Sequence, residues 1–338
     1  MNKGLLFVIL MGVLYFGAKA LHWEYYPVLE FVFAVSALVL AAEAFTEKAE
    51  KLGKMLRLSS FIVGVVILSL GTGMPEIASS IAAVVNGKSE AAFANAIGSN
   101  IASILLVGGI SFALIKREYI LKWDMLHGDV SFLLSTLLAT GIVLLDGKVD
   151  FFESLILVLG YGLYLLYMRD VHRWSQEEKE EKHSEEKLTP MEGLVLLAAL
   201  GVIAYSAELV VESLDGMAHL FKLPIAIVSL FALSIGTSLP EFLVSIAAAR
   251  KGNLELALGN INGSNIFNIF AALGVSGLFG TINAPLEQFL VPYMFLFAAT
   301  FSFILIFLDK KVHKYEGYLL IILYLFFALT MIRHSWQF

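Results

Sequence analysis

The chain has 338 residues, 59% of them hydrophobic and 15% charged, with a formal net charge of −6 and no cysteine. An average soluble domain carries about 25% charged residues, so this composition excludes an ordinary soluble globule. The missing cysteines exclude disulfides, thiolate metal sites and cysteine nucleophiles.

Residues 1–22 begin "MNKGLLFVILMGVLYFGAKA", with Lys3, an apolar stretch and an Ala18-Lys19-Ala20 ending. This pattern fits a cleavable signal peptide and equally an extra N-terminal transmembrane helix. Further apolar runs lie near 26–46, 56–86, 90–114, 128–146, 150–169, 189–214, 222–249, 254–280, 287–308 and 315–333. Most reach the roughly 20 residues that cross a bilayer core as a helix, and none alternates as barrel strands do. The predicted fold is an all-α polytopic membrane protein with ten core helices. The charged stretch 171–188, containing "HRWSQEEKEEKHSEEK", separates a first domain at 26–170 from a second at 189–335.

The two domains repeat each other. An offset of 165 residues carries Glu76 to Glu241, Gly71 to Gly236, Pro75 to Pro240, Asn95 to Asn260 and Gly98-Ser99-Asn100 to Gly263-Ser264-Asn265. The same offset carries Glu43 and Glu47 to Glu208 and Glu212. Polar residues held in register mark a duplication. Five helices per copy, an odd number, predict inverted repeats, an architecture of transporters with a midplane site. Basic residues alternate accordingly. Lys48, Lys51, Lys54, Arg57, Lys116, Arg117, Lys122, Arg250, Lys251, Lys310 and Lys311 fall on one side, with Lys88, Lys148, Lys222 and Arg333 on the other. The positive-inside rule makes the richer side cytoplasmic. It places the 171–188 loop inside a cell membrane and the C-terminus outside.

Each copy interrupts an apolar run with proline and glutamate, in "LGTGMPEIASS" and "IGTSLPEFLVS". Proline removes an N–H and clashes with the carbonyl four residues back. Unwound backbone is therefore expected around Ser69–Gly71 and Ser234–Gly236. From Asn86 back to Glu76 is about 15 Å of helix, half a bilayer core. Lys251 gives the same depth for Glu241 from the other face. Spacing of four residues puts Thr72, Glu76 and Ser80 on one face, and Thr237, Glu241 and Ser245 on its counterpart. The following helices carry Asn95, Ser99 and Ser103, and Asn260, Ser264 and Asn268. Carboxylate, hydroxyl, amide and carbonyl oxygens suit hard cations such as Ca²⁺ and Na⁺. Glu43 and Glu208 fit either ion entry or helix-end structure. Asp124, His127 and Asp129 read as solvated interface residues.

The halves "GTGMPEIASS…ANAIGSNIASI" and "GTSLPEFLVS…GNINGSNIFNI" closely resemble the two α-repeats of the sodium/calcium exchangers, in the calcium:cation antiporter superfamily, over about 26 to 335. The resemblance implies an antiporter exchanging Ca²⁺ for Na⁺ by alternating access, without enzymatic activity or cofactor. It implies Ca²⁺ at Glu76, Glu241, Thr72 and Thr237. It implies Na⁺ sites using Ser99, Ser264 and Ser238, with carbonyls near Ser69 and Ser234, and first and sixth core helices that slide. Three positions depart from the family pattern. Gly73 replaces a frequent serine, Asn268 a frequent aspartate and Ser103 a frequent asparagine, which puts the Na⁺ count and any K⁺ dependence in question. A Ca²⁺/H⁺ or other divalent antiporter, and a cation channel, stand as alternatives. The oligomeric state is left open, a monomer included, and the one further partner implied is the lipid bilayer.

Overall fold

The computed structural model describes residues 3–115, 118–121, 129–177, 188–221, 238–308 and 310–335. Helix α1 is Lys3–Ala20 and α2 is Tyr26–Met55. Helix α3 runs through Ser60–Ile62, a π turn at Val63–Leu68 and Ser69–Val85. Helix α4 is Ser89–Ala113, with its own π turn at Ser103–Gly108. Strand β1 (Tyr119–Ile120), helix α5 (Asp129–Asp146), strand β2 (Lys148–Val149) and helix α6 (Phe151–Glu177) complete the first half. The second half begins with α7 (Pro190–Phe221) and α8 (Leu239–Arg250). Helix α9 combines Leu254–Ile266, a π turn at Phe267–Leu273 and Gly274–Gly277. Strand β3 (Ile282–Asn283), α10 (Leu286–Ile306), β4 (Lys311–Val312) and α11 (Lys314–Ser335) follow.

Among the described residues, seven helices are long and apolar enough to cross a membrane, or eight if the bent pair in α3 is one span. The chain is therefore a multi-pass membrane protein. Helix α9 is too polar to be among them, since it carries Asn260, Asn262, Asn265 and Asn268. It survives at the centre because other helices wrap it: Leu254 through Ile266 are buried except Glu255. Burial sorts the remaining helices. The apolar window of α4 is 78% buried and that of α11 only 11%, so α4 lies inside and α11 faces lipid.

Close backbone approach holds the centre together. A side chain on Gly259 would strike the Phe61 carbonyl, and one on Gly64 would lie 2.6 Å from the Asn260 nitrogen. Helices α3 and α9 therefore touch backbone to backbone, the small-residue packing that membrane helices rely on. Helices α2 and α7 form a second unit, lined by Ala34, Leu38, Ala41, Ala42, Phe45 and Ala49 on α2 and by Ala199, Ile203 and Val210 on α7. Lys51 Nζ reaches both carboxylate oxygens of Glu192 at 2.7 Å and ties their ends. Helix α1 packs on α2, where the Tyr15 hydroxyl donates to Glu30 at 2.6 Å and Lys19 stands 3.5 Å from the same carboxylate.

The four strands form two antiparallel ribbons, β1 with β4 and β2 with β3. Because β3 precedes α10 and β4 follows it, the ribbons lie at opposite ends of that helix. Shifting β1 by the repeat offset of 165 lands on 284–285, beside β3, and shifting β2 lands on 313–314, beside β4. Repeat-related strands thus belong to ribbons at opposite ends of the molecule.

Two expectations need correction. Asp129 is wholly buried rather than solvated, because α5, α6 and α9 meet around it. The Tyr164 hydroxyl lies 3.4 Å from its Oδ1 and accepts from Asn262 Nδ2 at 3.2 Å. Asp124 and His127 lie outside the described residues. The backbone at Ser69–Gly71 is helical, not unwound. Instead α3 bends by 41° at Pro75, between Ser60–Met74 and Glu76–Val85, and a π turn lies earlier in the helix at Val63–Leu68. The counterpart around Ser234–Gly236 lies outside the described residues.

Candidate cation site

The two glutamates reach the same place by different local structure. Glu76 follows the bend in α3, whereas Glu241 occupies the first turn of α8, whose N-cap is Ser238. Proline 240 there stands in the first helical turn, where its missing N–H costs nothing. The helix N-terminus also favours the carboxylate beside it. Glu76 is 2% and Glu241 4% exposed, and their side chains lie within hydrogen-bonding reach of each other. The Thr72 hydroxyl reaches Glu241 and also donates to the Leu68 carbonyl at 3.0 Å. Among the described residues, no basic side chain pairs with either glutamate.

The hydroxyl and amide stripes of the same helices are buried with the pair. Thr72, Ser80, Ser99, Ser103, Ser238, Ser245, Ser264, Asn260 and Asn268 are all buried. Six of the expected ligands carry a buried oxygen with no hydrogen-bond partner: Glu76 Oε2, Ser99 Oγ, Ser103 Oγ, Ser238 Oγ, Glu241 Oε2 and Ser264 Oγ. Unpaired buried oxygens are costly, and these six lie on α3, α4, α8 and α9, the helices that carry the repeated motifs. Ser69 is turned differently, its hydroxyl donating to the Val65 carbonyl. Thr237 and Ser234 lie outside the described residues. Glu43 and Glu208 are exposed.

Two asparagines of the repeated Gly-Ser-Asn turns act here beyond their expected role as repeat markers. Asn100 Nδ2 donates to the Asn265 carbonyl at 3.0 Å, across the offset of 165. Asn268 Nδ2 donates to Asn100 Oδ1, also at 3.0 Å. The amide nitrogen of Asn268 is thus held by Asn100. Asn260 similarly donates to Ser245 Oγ at 2.9 Å and to the Glu241 carbonyl at 3.3 Å. The signal for Asn100 and Asn265 was present in the sequence, since the offset keeps both.

A family model described as sodium/calcium exchanger protein matches residues 26–169 and 192–333. The chain belongs to the sodium/calcium exchanger family. This exchanger is 34% identical over 263 residues to the putative antiporter CaxA of Alkalimonas amylolytica, covering 75% of this chain and 81% of CaxA. It is 31% identical over 249 residues to the inner membrane protein YrbG of Escherichia coli, covering 71% and 76%. It is 27% identical over 342 residues to the sodium/calcium exchanger MaX1 of Methanosarcina acetivorans, covering 87% and 95%. The solved structure of the sodium-calcium exchanger NCX_Mj soaked with 2.5 mM Na⁺ and 0.1 mM Ca²⁺ superposes with a TM-score of 0.75 at 26% identity. That match covers 89% of this chain and 96% of the other.

Proposed function

We propose that this exchanger moves Ca²⁺ against Na⁺ at a single midplane site built by Glu76 and Glu241. The observation that carries the reading is the approach of these two buried carboxyl groups, with unpaired serine hydroxyls buried on α4, α8 and α9 and no basic side chain among the described residues paired to either. Two carboxylates in contact repel strongly at low dielectric, so a cation between them is what makes the arrangement tenable. Carboxylate and hydroxyl oxygens match the preference of Ca²⁺ for six to eight hard ligands. One Ca²⁺ or more than one Na⁺ neutralises the pair, and occupants that compete for one charge couple their fluxes. Thr72, Thr237, Ser99, Ser103, Ser264, Ser238 and Asn268 complete the proposed ligand set, with carbonyls near Ser69 and Ser234.

Inverted repeats supply the alternating access. The exchange of partners between the two ribbons supports the inversion, because repeat-related strands lie at opposite ends of α10. The packing of α2 on α7 supports a paired moving unit, matching the first and sixth core helices. Basic residues at 48–57 and 250–251 assign those ends to the cytoplasm by the positive-inside rule. A second reading, Ca²⁺/H⁺ exchange, is favoured by the same carboxyl contact, since a shared proton also relieves it.

A flux assay separates the two. Proteoliposomes loaded with Na⁺ and diluted into Na⁺-free medium should accumulate ⁴⁵Ca²⁺, and an imposed proton gradient alone should not drive uptake. Uptake that follows pH and ignores Na⁺ favours the proton reading.

A further inference from the structure

We propose that Phe267 seals one monovalent-cation subsite of this exchanger, so that Na⁺ has a serine hydroxyl on the Ser238 side of the carboxylate pair and not on the Gly73 side. The proposal rests on the cation-exchange reading above and deepens it by naming a residue that sets the ion count.

The repeat offset pairs Gly73 with Ser238 and Ala102 with Phe267. In the second copy Ser238 stands three residues ahead of Glu241, is 5% exposed, and has a hydroxyl without a hydrogen-bond partner. An unused hydroxyl beside a carboxylate is a hard oxygen ligand. In the first copy the equivalent position, three residues ahead of Glu76, has no side chain. A Cβ built on Gly73 would lie 2.5 Å from Phe267 Cε1, 2.7 Å from Cδ1 and 3.2 Å from Cζ. The phenyl ring therefore occupies the space into which a serine at 73 would project.

The ring is fixed in that position. Phe267 is 1% exposed, meets Tyr161 edge to face at 5.5 Å, and packs against Leu70 and Ile77. It also opens the π turn of α9, next to Asn268. A phenyl ring has no lone pair to give an ion, and a packed core aromatic is not readily displaced. Its counterpart Ala102 carries a single methyl group and cannot fill the equivalent space beside Ser238. Positions 73 and 267 are therefore coupled: glycine admits the phenyl ring, and the ring forbids serine. The symmetric pair of hydroxyl-lined subsites that duplication would give is reduced to one.

The test measures ²²Na⁺ efflux and ⁴⁵Ca²⁺ influx together in proteoliposomes, comparing the full-length wild-type protein with Gly73→Ser/Phe267→Ala, Phe267→Ala and Ser238→Ala. The double variant should raise the Na⁺:Ca²⁺ flux ratio by about one, the ion gained with one restored ligand group. Phe267→Ala alone should leave the ratio unchanged, and Ser238→Ala, which opens no large cavity, should lower it by about one. A ratio unchanged in both Ser238→Ala and the double variant overturns the subsite, as does a rise from Phe267→Ala alone. Should the double variant not fold, the Ser238→Ala ratio decides by itself. Absence of Na⁺-driven ⁴⁵Ca²⁺ uptake by the wild-type protein overturns the exchange reading and the subsite with it. Normal uptake with an unchanged ratio overturns the subsite alone.

Discussion

In the proposed site Glu76 and Glu241 each supply one negative charge, which no basic side chain among the described residues balances. A unit charge acting on a cation 4 Å away contributes about 4 kcal/mol per elementary charge at an effective dielectric constant of 20. Ca²⁺ carries two elementary charges, so replacing either carboxylate by its neutral isostere removes about 8 kcal/mol and should lower Ca²⁺ affinity by roughly a millionfold. Glu76→Gln and Glu241→Gln should both fold and both fail to accumulate ⁴⁵Ca²⁺ at micromolar concentrations; near-wild-type uptake by either would remove that residue from the site. Tyr164 has a different kind of importance. Its hydroxyl donates to Asp129 and accepts from Asn262 in a pocket sealed from solvent. Tyr164→Phe leaves both partners short of a hydrogen bond and should cost about 1–3 kcal/mol of stability. Thermal unfolding in detergent should show the loss as a lower Tm while Na⁺-driven uptake persists. The burial of Glu76, Glu241, Thr72, Ser99, Ser103, Ser238 and Ser264 was legible in the sequence, because spacing of four and the offset of 165 pick these residues out. Asp129 was not, since nothing in its own neighbourhood announces that two other helices close over it. Phe267 was hidden for a related reason: an aromatic in an apolar run gains meaning only from the glycine it meets, 194 positions earlier by the numbering.

At the scale of elements, helices α3 and α9 set the geometry of the site through backbone contact. Gly259 has no room for a methyl group against the Phe61 carbonyl, whereas nothing lies within 4 Å of a Cβ on Gly162 in the outward-facing part of α6. Gly259→Ala should therefore force α3 and α9 apart, lowering both the yield of monodisperse protein and its transport. Gly162→Ala should leave both unchanged or slightly improved, as helix propensity favours alanine by about 1 kcal/mol. Equal behaviour of the two variants on size-exclusion chromatography would contradict the packing argument. The proline arguments were half legible. Loss of an N–H does disturb α3, but the helix answers with a bend at Pro75 rather than an open stretch. In α8 the proline begins a helix instead of breaking one. Sequence shows that a hydrogen bond is missing; the surrounding packing decides how the backbone repairs it. The closing turns of the two copies match in the structure: Gly87 and Gly252 have φ of +74° and +80°, and each ends a helix before the next begins.

The whole molecule divides into a central group of α3, α4, α8 and α9, a paired unit of α2 and α7, and peripheral helices facing lipid. Composition alone established the membrane class, and apolar runs located most helices to within a turn. The number of spans was less secure from sequence and remains tied to α8, a 12-residue helix whose preceding segment lies outside the described residues. Burial of α9, with its asparagines, follows only from three-dimensional wrapping. The proposed motion of α2 and α7 across the central group predicts that ions reach the carboxylate pair from one side at a time. The charge they carry there, more than any single contact, is what the account depends on. The most direct measurement is Na⁺-driven ⁴⁵Ca²⁺ uptake in proteoliposomes holding wild-type, Glu76→Gln or Glu241→Gln protein, with Na⁺ inside and Ca²⁺ outside. The account predicts uptake that collapses when the Na⁺ gradient is removed and is absent in both variants. Uptake by the wild-type protein that persists without a Na⁺ gradient, or that survives loss of either carboxylate, would contradict it.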